Sequence, residues 1–156
     1  MNKSNHILKV AAVVIEQQSE AIAGLAPQLN KDFEHVVDWV HKGNGRLVLT
    51  GIGKSAIIGM KISATLNSTG TKSIFMHAAD AIHGDLGMIE QQDIVLCLSK
   101  SGTSAEIKTL VPLLKNRGNK LIGMTANPTS FLAQNADAIL HAVSYTHLRA
   151  HETLLD

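Results

Sequence analysis

A cluster of hydroxyl side chains is the feature of the sequence best suited to bind a ligand. Four of them stand within residues 99–104, directly after an apolar run at 94–98: Ser99, Ser101, Thr103 and Ser104. Hydroxyls and backbone amides at the start of a helix bind anions such as phosphate, because both donate hydrogen bonds and the helix dipole favours negative charge. One serine here would merely cap the helix, so it is the cluster that predicts a phosphate site.

The turn GIGKS at residues 51–55 is the second candidate. Its Gly51 and Gly53 allow the backbone to come close to a ligand, as does Gly102 in the hydroxyl-rich loop. Lys54 adds a positive charge, and Ser55 begins a helix where an anion is favoured. This turn alone is also compatible with a plain strand-to-helix connection that has an exposed lysine.

Two nucleotide-binding interpretations of the same turn are disfavoured. A P-loop requires a glycine where Val48 stands. A dinucleotide fingerprint requires an acidic residue near the end of the next strand, where Met76 and His77 stand instead.

Two further residues are able to transfer protons. His83 lies among turn-forming residues in the segment 81–88, rather than on an apolar face, and a histidine can exchange a proton near neutral pH. Glu106 follows the hydroxyl cluster directly. From the residues alone, Glu106 is best interpreted as a first-turn acid that interacts favourably with the helix dipole.

Composition indicates a compact single domain and excludes several classes of protein. The 156 residues are 45% hydrophobic, and the formal net charge of +1 indicates neither nucleic acid nor an anionic membrane as a partner. No apolar run reaches the length of about 18 residues that a membrane span needs. The single cysteine, Cys97, is expected to be a buried small hydrophobe, which agrees with a reducing, cytoplasmic location. No metal and no other cofactor is expected.

Apolar periodicity predicts the elements that position these loops. Two N-terminal helices are predicted, over residues 7–25 and about 33–40, ended by Pro27 and by Gly43-Asn44-Gly45. Strands at 47–49, 73–76, 94–98, 121–124 and 138–140 then alternate with helical segments. This alternation predicts an α/β fold, a three-layer αβα sandwich with a mostly parallel five-stranded sheet. Ligands bind such sheets at the carboxyl ends of the strands, where both candidate loops lie.

Two local features are predicted less directly. Pro112 falls inside the helix that follows residue 104, so we expect a kink or a split there. Asn127 and Pro128 are interpreted as a helix N-cap followed by proline at the first helical position.

The stretches GIGKSAIIGMKISATLNSTGT, HAADAIHGDLGMI and LSKSGTSAEI resemble the sugar isomerase (SIS) domain family, in particular its arabinose-5-phosphate isomerase branch. The resemblance covers residues 1–143 and implies a flavodoxin-like SIS domain. It implies that the substrate phosphate is held by Ser55, Ser99, Ser101 and Ser104. It also implies that the active site includes Lys54, His83 and Glu106.

The chemistry implied by the resemblance is an aldose–ketose isomerisation. D-ribulose 5-phosphate and D-arabinose 5-phosphate would interconvert through an enediol(ate), which needs a base, a proton shuttle and a positive charge near the developing oxyanion. Glu106 or another carboxylate would be the base, His83 the shuttle and Lys54 the stabilising charge. The family also implies a homo-oligomer with active sites shared between subunits.

After residue 143 the sequence departs from the family. Residues 144–156 are expected to be a non-native tail, with His147 near the position of a family glutamate, so we expect impaired isomerisation. The alternative function is a non-catalytic sugar-phosphate sensor, because SIS domains also occur in regulators. A nucleotide-binding domain is a third interpretation. The isomerase and the sensor differ in their need for Lys54, His83 and Glu106, since a sensor does not need these residues.

Overall fold

A computed structural model describes residues 3–142, with side chains from residue 6 onward; the predicted tail at 144–156 lies outside this part. The chain divides after Asn30 into two compact units. The first holds α1 (Lys3–Ala23) and a 3₁₀ turn, Ala26–Gln28, that contains Pro27. The predicted first helix is confirmed, but it ends at Ala23 rather than at residue 25. None of its side chains from residue 6 to residue 23 is buried.

The second unit contains the predicted sheet. All its strands run parallel, in the order β2-β1-β3-β4-β5. Their bounds are Leu47–Gly51 for β1, Ser73–His77 for β2, Ile94–Leu98 for β3, Lys120–Thr125 for β4 and Ala138–His141 for β5. Every residue of β1 and β3 is buried, which explains why these strands are continuous apolar runs in the sequence. The order is flavodoxin-like, as predicted, and its direction reverses between β1 and β3.

Helices cover both faces of the sheet and complete the predicted three layers. On one face α2 (Lys31–Lys42) and α3 (Lys54–Ser68) pack over Leu49 and Leu96. The helices of the opposite face pack over Val48 and Val95; they are α4 (Ala78–Ile82), α5 (Ala105–Arg117) and α6 (Phe131–Asn135). Within the part of the chain that the structure describes, every helix is too short or too polar to cross a membrane.

Cys97 is the small buried hydrophobe that the sequence predicts. It is fully buried in the core beneath α5, and burial raises the pKa of its thiol to about 12. At neutral pH the group is therefore an uncharged thiol with no access to solvent, and it cannot act as a nucleophile.

The helices depart from two sequence predictions. The split predicted at Pro112 is absent, since α5 runs without interruption from Ala105 to Arg117, and the alternative of a kink stays a prediction. Pro112 and Lys108 are both exposed, so the Lys108 carbonyl that loses its helical partner remains accessible to water. Asn127 is not the N-cap of α6, because Ser130 caps it by accepting the Ala133 N–H at 3.3 Å.

Candidate functional site

The reversal of strand order brings the two candidate loops to neighbouring places on one sheet edge. Gly51, the last residue of β1, pairs in register with His77 of β2 and with Leu98 of β3. Leu98 in turn pairs with Met124 of β4. The carboxyl ends of these strands are therefore level, and the crevice between β1 and β3 is where parallel α/β sheets bind ligands.

The turn after β1 places Ser55 beside the end of β3. A β-carbon added to Gly51 would lie 3.0 Å from the Leu98 carbonyl oxygen and 3.2 Å from the Ser55 β-carbon. Glycine at position 51 thus allows this close packing. Gly53 has a positive φ of 57° and precedes α3, and apart from its neighbours in the chain no described atom lies within 4 Å of the place a β-carbon would occupy. Lys54 is exposed and Ser55 is half-buried.

Internal hydrogen bonds orient two of the hydroxyls in the loop after β3. The Gly102 N–H donates to the Ser99 hydroxyl oxygen at 3.1 Å. The Thr103 N–H donates to the Ser101 hydroxyl oxygen at 3.4 Å. A hydroxyl has one proton to donate besides its lone pairs, so both serines keep that proton available for an anion.

Ser104 differs from these serines because its hydroxyl has no hydrogen-bond partner among the described residues. Ser104 is the N-cap of α5, with extended backbone, yet its side chain makes no capping hydrogen bond. Within residues 3–142 the buried Ser104 hydroxyl oxygen has no hydrogen-bond partner at all. A buried polar atom without a partner is costly, and a bound phosphate at the N-terminus of α5 would satisfy it.

Glu106 lies two residues farther along, half-buried in the first turn of α5. This position gives Glu106 a place beside the same helix terminus as the serines. Its negative charge is compatible with the α5 dipole.

The loop is held in place by residues that the sequence did not identify. The Lys100 carbonyl accepts hydrogen bonds from the Ala126 N–H and the Thr125 hydroxyl, each at 3.1 Å. Gly102 is buried, with a φ of 65°, and its α-carbon contacts the Ser130 side chain. The side of Gly102 that lacks a side chain is therefore filled by protein. The sequence held only a weak sign of this support, namely a hydroxyl residue at the end of β4 and another before α6.

His83 makes no hydrogen bond or ion pair with the hydroxyl-rich loop among the described residues. It follows α4 as the C-cap, its side chain is exposed, and its N–H donates to the Asp80 carbonyl at 3.0 Å. No hydrogen bond or ion pair between residues 3 and 142 joins His83 to the loop at 99–104. The structure thus brings Lys54, Ser55, Glu106 and the serines to one edge, with His83 on the helix that follows β2.

The described residues were also compared with the side-chain groupings that hold metal ions. From residue 6 to residue 142, His, Cys, Asp and Glu side chains form no group of three that is able to hold a metal ion.

Sequence comparison identifies the family. Residues 41–150 match the SIS domain. The chain belongs to the SIS domain family. This SIS domain is 46% identical over 144 residues to the arabinose 5-phosphate isomerase KdsD of Pseudomonas aeruginosa, covering 91% of this chain and 44% of that protein. It is 48% identical over 127 residues to KpsF of Escherichia coli CFT073, also named arabinose 5-phosphate isomerase, covering 81% of this chain and 39% of that protein.

A solved structure shows the same fold. An Escherichia coli CFT073 protein in complex with arabinose 5-phosphate superposes with a TM-score of 0.83 at 35% identity, covering 90% of this chain and 74% of that one. The match confirms the predicted SIS fold. The SIS domain chain spans about two fifths of the length of the curated relatives it matches.

Proposed function

We propose that this SIS domain binds a pentose 5-phosphate and forms the substrate-binding part of an aldose–ketose isomerase acting on D-arabinose 5-phosphate and D-ribulose 5-phosphate. The observation that carries the proposal is the buried Ser104 hydroxyl at the N-terminus of α5, which has no hydrogen-bond partner within residues 3–142. The arabinose 5-phosphate isomerase names of the relatives and the arabinose 5-phosphate complex of a structural neighbour support the choice of sugar.

The phosphate would be held mainly by neutral donors. Ser99 and Ser101 supply hydroxyl protons whose direction is set by the backbone N–H groups that donate to these hydroxyls, and Ser55 approaches from the first turn of α3. The Ser104 hydroxyl and the first amides of α5 complete the set. A dianion held in this way is bound without many buried opposite charges, so product release stays possible.

The reacting end of the sugar would then lie over the turn after β1. Lys54 would stabilise negative charge on the oxygen of the enediol(ate), since a fixed positive charge lowers the energy of a developing oxyanion. Glu106 would take the proton from carbon, and His83 would transfer protons between the oxygens. A non-catalytic sensor would use the serines but would have no need of these three groups.

Self-association is a second part of the proposal. Ile57, Ile58 and Met60 on α3 are 63%, 53% and 47% exposed, and they lie within the first two turns of the helix that begins with Lys54 and Ser55. An apolar surface of this kind is typical of an interface between proteins. We propose that a second copy of the chain covers it, which would put the partner next to the active site. If light scattering shows a monomer at micromolar concentration, the proposed self-association is contradicted.

The test combines binding and turnover on the same chain. Calorimetric titration should show binding of D-arabinose 5-phosphate, and a coupled assay should show slow formation of D-ribulose 5-phosphate. Lys54→Ala should abolish turnover and leave affinity within about threefold, whereas the exposed Lys72→Ala, before β2, should change neither. Loss of binding and turnover in equal measure would favour the sensor, and near-normal wild-type turnover would refute the expected impairment.

A further inference from the structure

Trp39 is the one tryptophan of the chain, and it borders a cavity that the proposed function does not use. Its indole on α2 is half-buried, with one part packed on the core and another part facing this cavity of about 450 Å³. Ile94 and Lys120, the first residues of β3 and β4, also line the cavity. It therefore lies at the amino ends of the strands, opposite the candidate site, and it is large enough for a small organic ligand.

Two exposed side chains surround the indole of Trp39. The Lys120 ammonium lies over it, with the Nζ atom 4.3 Å from the ring centroid. The His35 ring, one helical turn before Trp39, stacks beside it at a centroid distance of 6.1 Å. An ammonium–ring contact at an exposed site is weak, so an incoming anion would draw Lys120 from the indole and leave the ring face open for stacking.

A second cavity, of about 290 Å³, shares Trp39 and Lys120 with the first. Asn119 lines this second cavity and is only 3% exposed. Its Nδ2 donates to the Asp93 carbonyl at 3.0 Å, whereas its Oδ1 has no hydrogen-bond partner within residues 3–142. A buried acceptor without a partner is costly, and a donor on a bound ligand would satisfy it.

The charges around the two cavities favour an anionic ligand. Each carboxylate that lines them already has a cationic partner. The pairs are Asp38 with Lys42, Asp93 with Arg46 and Asp137 with Lys115. Lys120 forms no ion pair within residues 3–142, although its charge also acts on Asp137. Lys120 is therefore the cation that remains available for a ligand.

We propose that these cavities form a second binding site, which takes a nucleoside phosphate. The base stacks on the Trp39 indole, and the Lys120 ammonium binds the phosphate. An adenine amino group is a donor of the kind that the Asn119 Oδ1 lacks, so AMP is a suitable probe. The inference is independent of the proposed function, because the loop at 99–104 offers hydroxyls and amides but no aromatic ring.

The experiment uses the fluorescence of Trp39, which reports directly on this site because the chain has no other tryptophan. We expect AMP to quench it saturably, and adenosine, which lacks the phosphate, to bind at least about fivefold more weakly. D-arabinose 5-phosphate should neither quench the fluorescence nor displace AMP. Displacement of AMP by D-arabinose 5-phosphate would place the nucleotide at the candidate site and overturn the inference.

Two variants and a control separate the phosphate contact from the stacking contact. Lys120→Gln should bind AMP about fivefold more weakly and adenosine as the wild type does, while Lys61→Gln, exposed on α3, should change neither. Trp39→Leu, measured by calorimetry, should lose at least about tenfold for both ligands. Because Trp39 also packs on the core, Lys120→Gln decides the matter if Trp39→Leu fails to fold. Unchanged fluorescence with AMP up to about 10 mM, or unchanged AMP affinity in Lys120→Gln, would overturn the inference and leave the proposed function untouched.

Discussion

Gly102 and Ser130 are packed so closely that the Ser130 side chain fills the place a β-carbon of Gly102 would need. The φ of Gly102 is also positive, at 65°. The Leu132 N–H donates to the Gly102 carbonyl at 2.9 Å in the same region. The turn before α6 therefore packs against the loop at residues 99–104 and holds it in place.

We predict that Gly102→Ala damages both folding and ligand binding. The added methyl group meets Ser130 and strains the backbone, so the free energy of unfolding should fall by about 3 kcal/mol. Affinity for D-arabinose 5-phosphate should fall by at least about tenfold, because the loop must move. Denaturant unfolding and calorimetric titration measure the two effects.

Gly118→Ala is the matched control for Gly102→Ala. Gly118 ends α5 with a φ of 79°, and apart from its neighbours in the chain no described atom lies within 4 Å of its added β-carbon. Gly118→Ala strains the backbone but introduces no clash. The free energy of unfolding should therefore fall by about 1 kcal/mol, and affinity for D-arabinose 5-phosphate should be unchanged. Equal costs at the two glycines would show that the contact with Ser130 is unimportant.

A second prediction compares two N-cap serines. Ser104→Ala removes a buried hydroxyl that has no partner within residues 3–142, so the free energy of unfolding should not fall, while sugar-phosphate affinity falls by about tenfold. Ser130→Ala removes a real cap on α6 and should cost about 1 kcal/mol. Thermal and denaturant unfolding of both variants, with titration of the ligand, test the contrast. A Ser104→Ala protein with wild-type affinity would remove Ser104 from the phosphate site.

A third prediction concerns the opposite edge of the sheet, where Arg46 and Asp93 join the starts of β1 and β3. The Arg46 guanidinium donates to the Asp93 carboxylate at 2.6 Å, and the Arg46 backbone N–H donates to it at 2.8 Å. The Asp93 side chain is 1% exposed. Burial acts to raise the pKa of Asp93, but the hydrogen bonds from Arg46 and from the Glu90 N–H outweigh it, so the pKa lies below its ordinary value.

The sign of the pH dependence follows from that lowered pKa. Folding favours the charged carboxylate, so its contribution is complete above the unfolded pKa of about 4 and is lost as pH falls through the folded value. Asp93→Asn should lower the free energy of unfolding at pH 7 by about 2–4 kcal/mol, and the difference from wild type should shrink below about pH 4. Asp38→Asn, in an exposed pair with Lys42, is the control and should change little. A difference that grows on acidification would contradict the assignment.

The strands were predictable because β1 and β3 are covered on both faces and are therefore apolar throughout. The start of α6 was not, because two local structures compete there. Asn127 accepts hydrogen bonds from the N–H and hydroxyl of Thr129, at 3.0 Å and 2.9 Å, and so forms a turn instead of a cap. Sequence patterns alone do not decide between those uses of an asparagine side chain.

In the candidate site too, the sequence predicted local features but not the contacts between distant parts of the chain. The hydroxyl cluster and its place after a buried strand were visible in the sequence. Coordinates were required to distinguish Ser99 from Ser104. The Ser99 hydroxyl accepts a hydrogen bond from a backbone N–H, whereas the Ser104 hydroxyl has no partner within residues 3–142. The contact of Gly102 with Ser130 was likewise hidden, because it joins loops that follow different strands.

The most direct test of the account is to locate the bound phosphate by NMR. D-arabinose 5-phosphate would be titrated into the isotopically labelled chain while the backbone amide resonances are followed. We predict that the largest shifts fall on Gly102, Thr103, Ser104 and the first turn of α3. Shifts centred instead on Gly43, Asn44 and Thr71, which line a cavity at the opposite edge, would contradict the account.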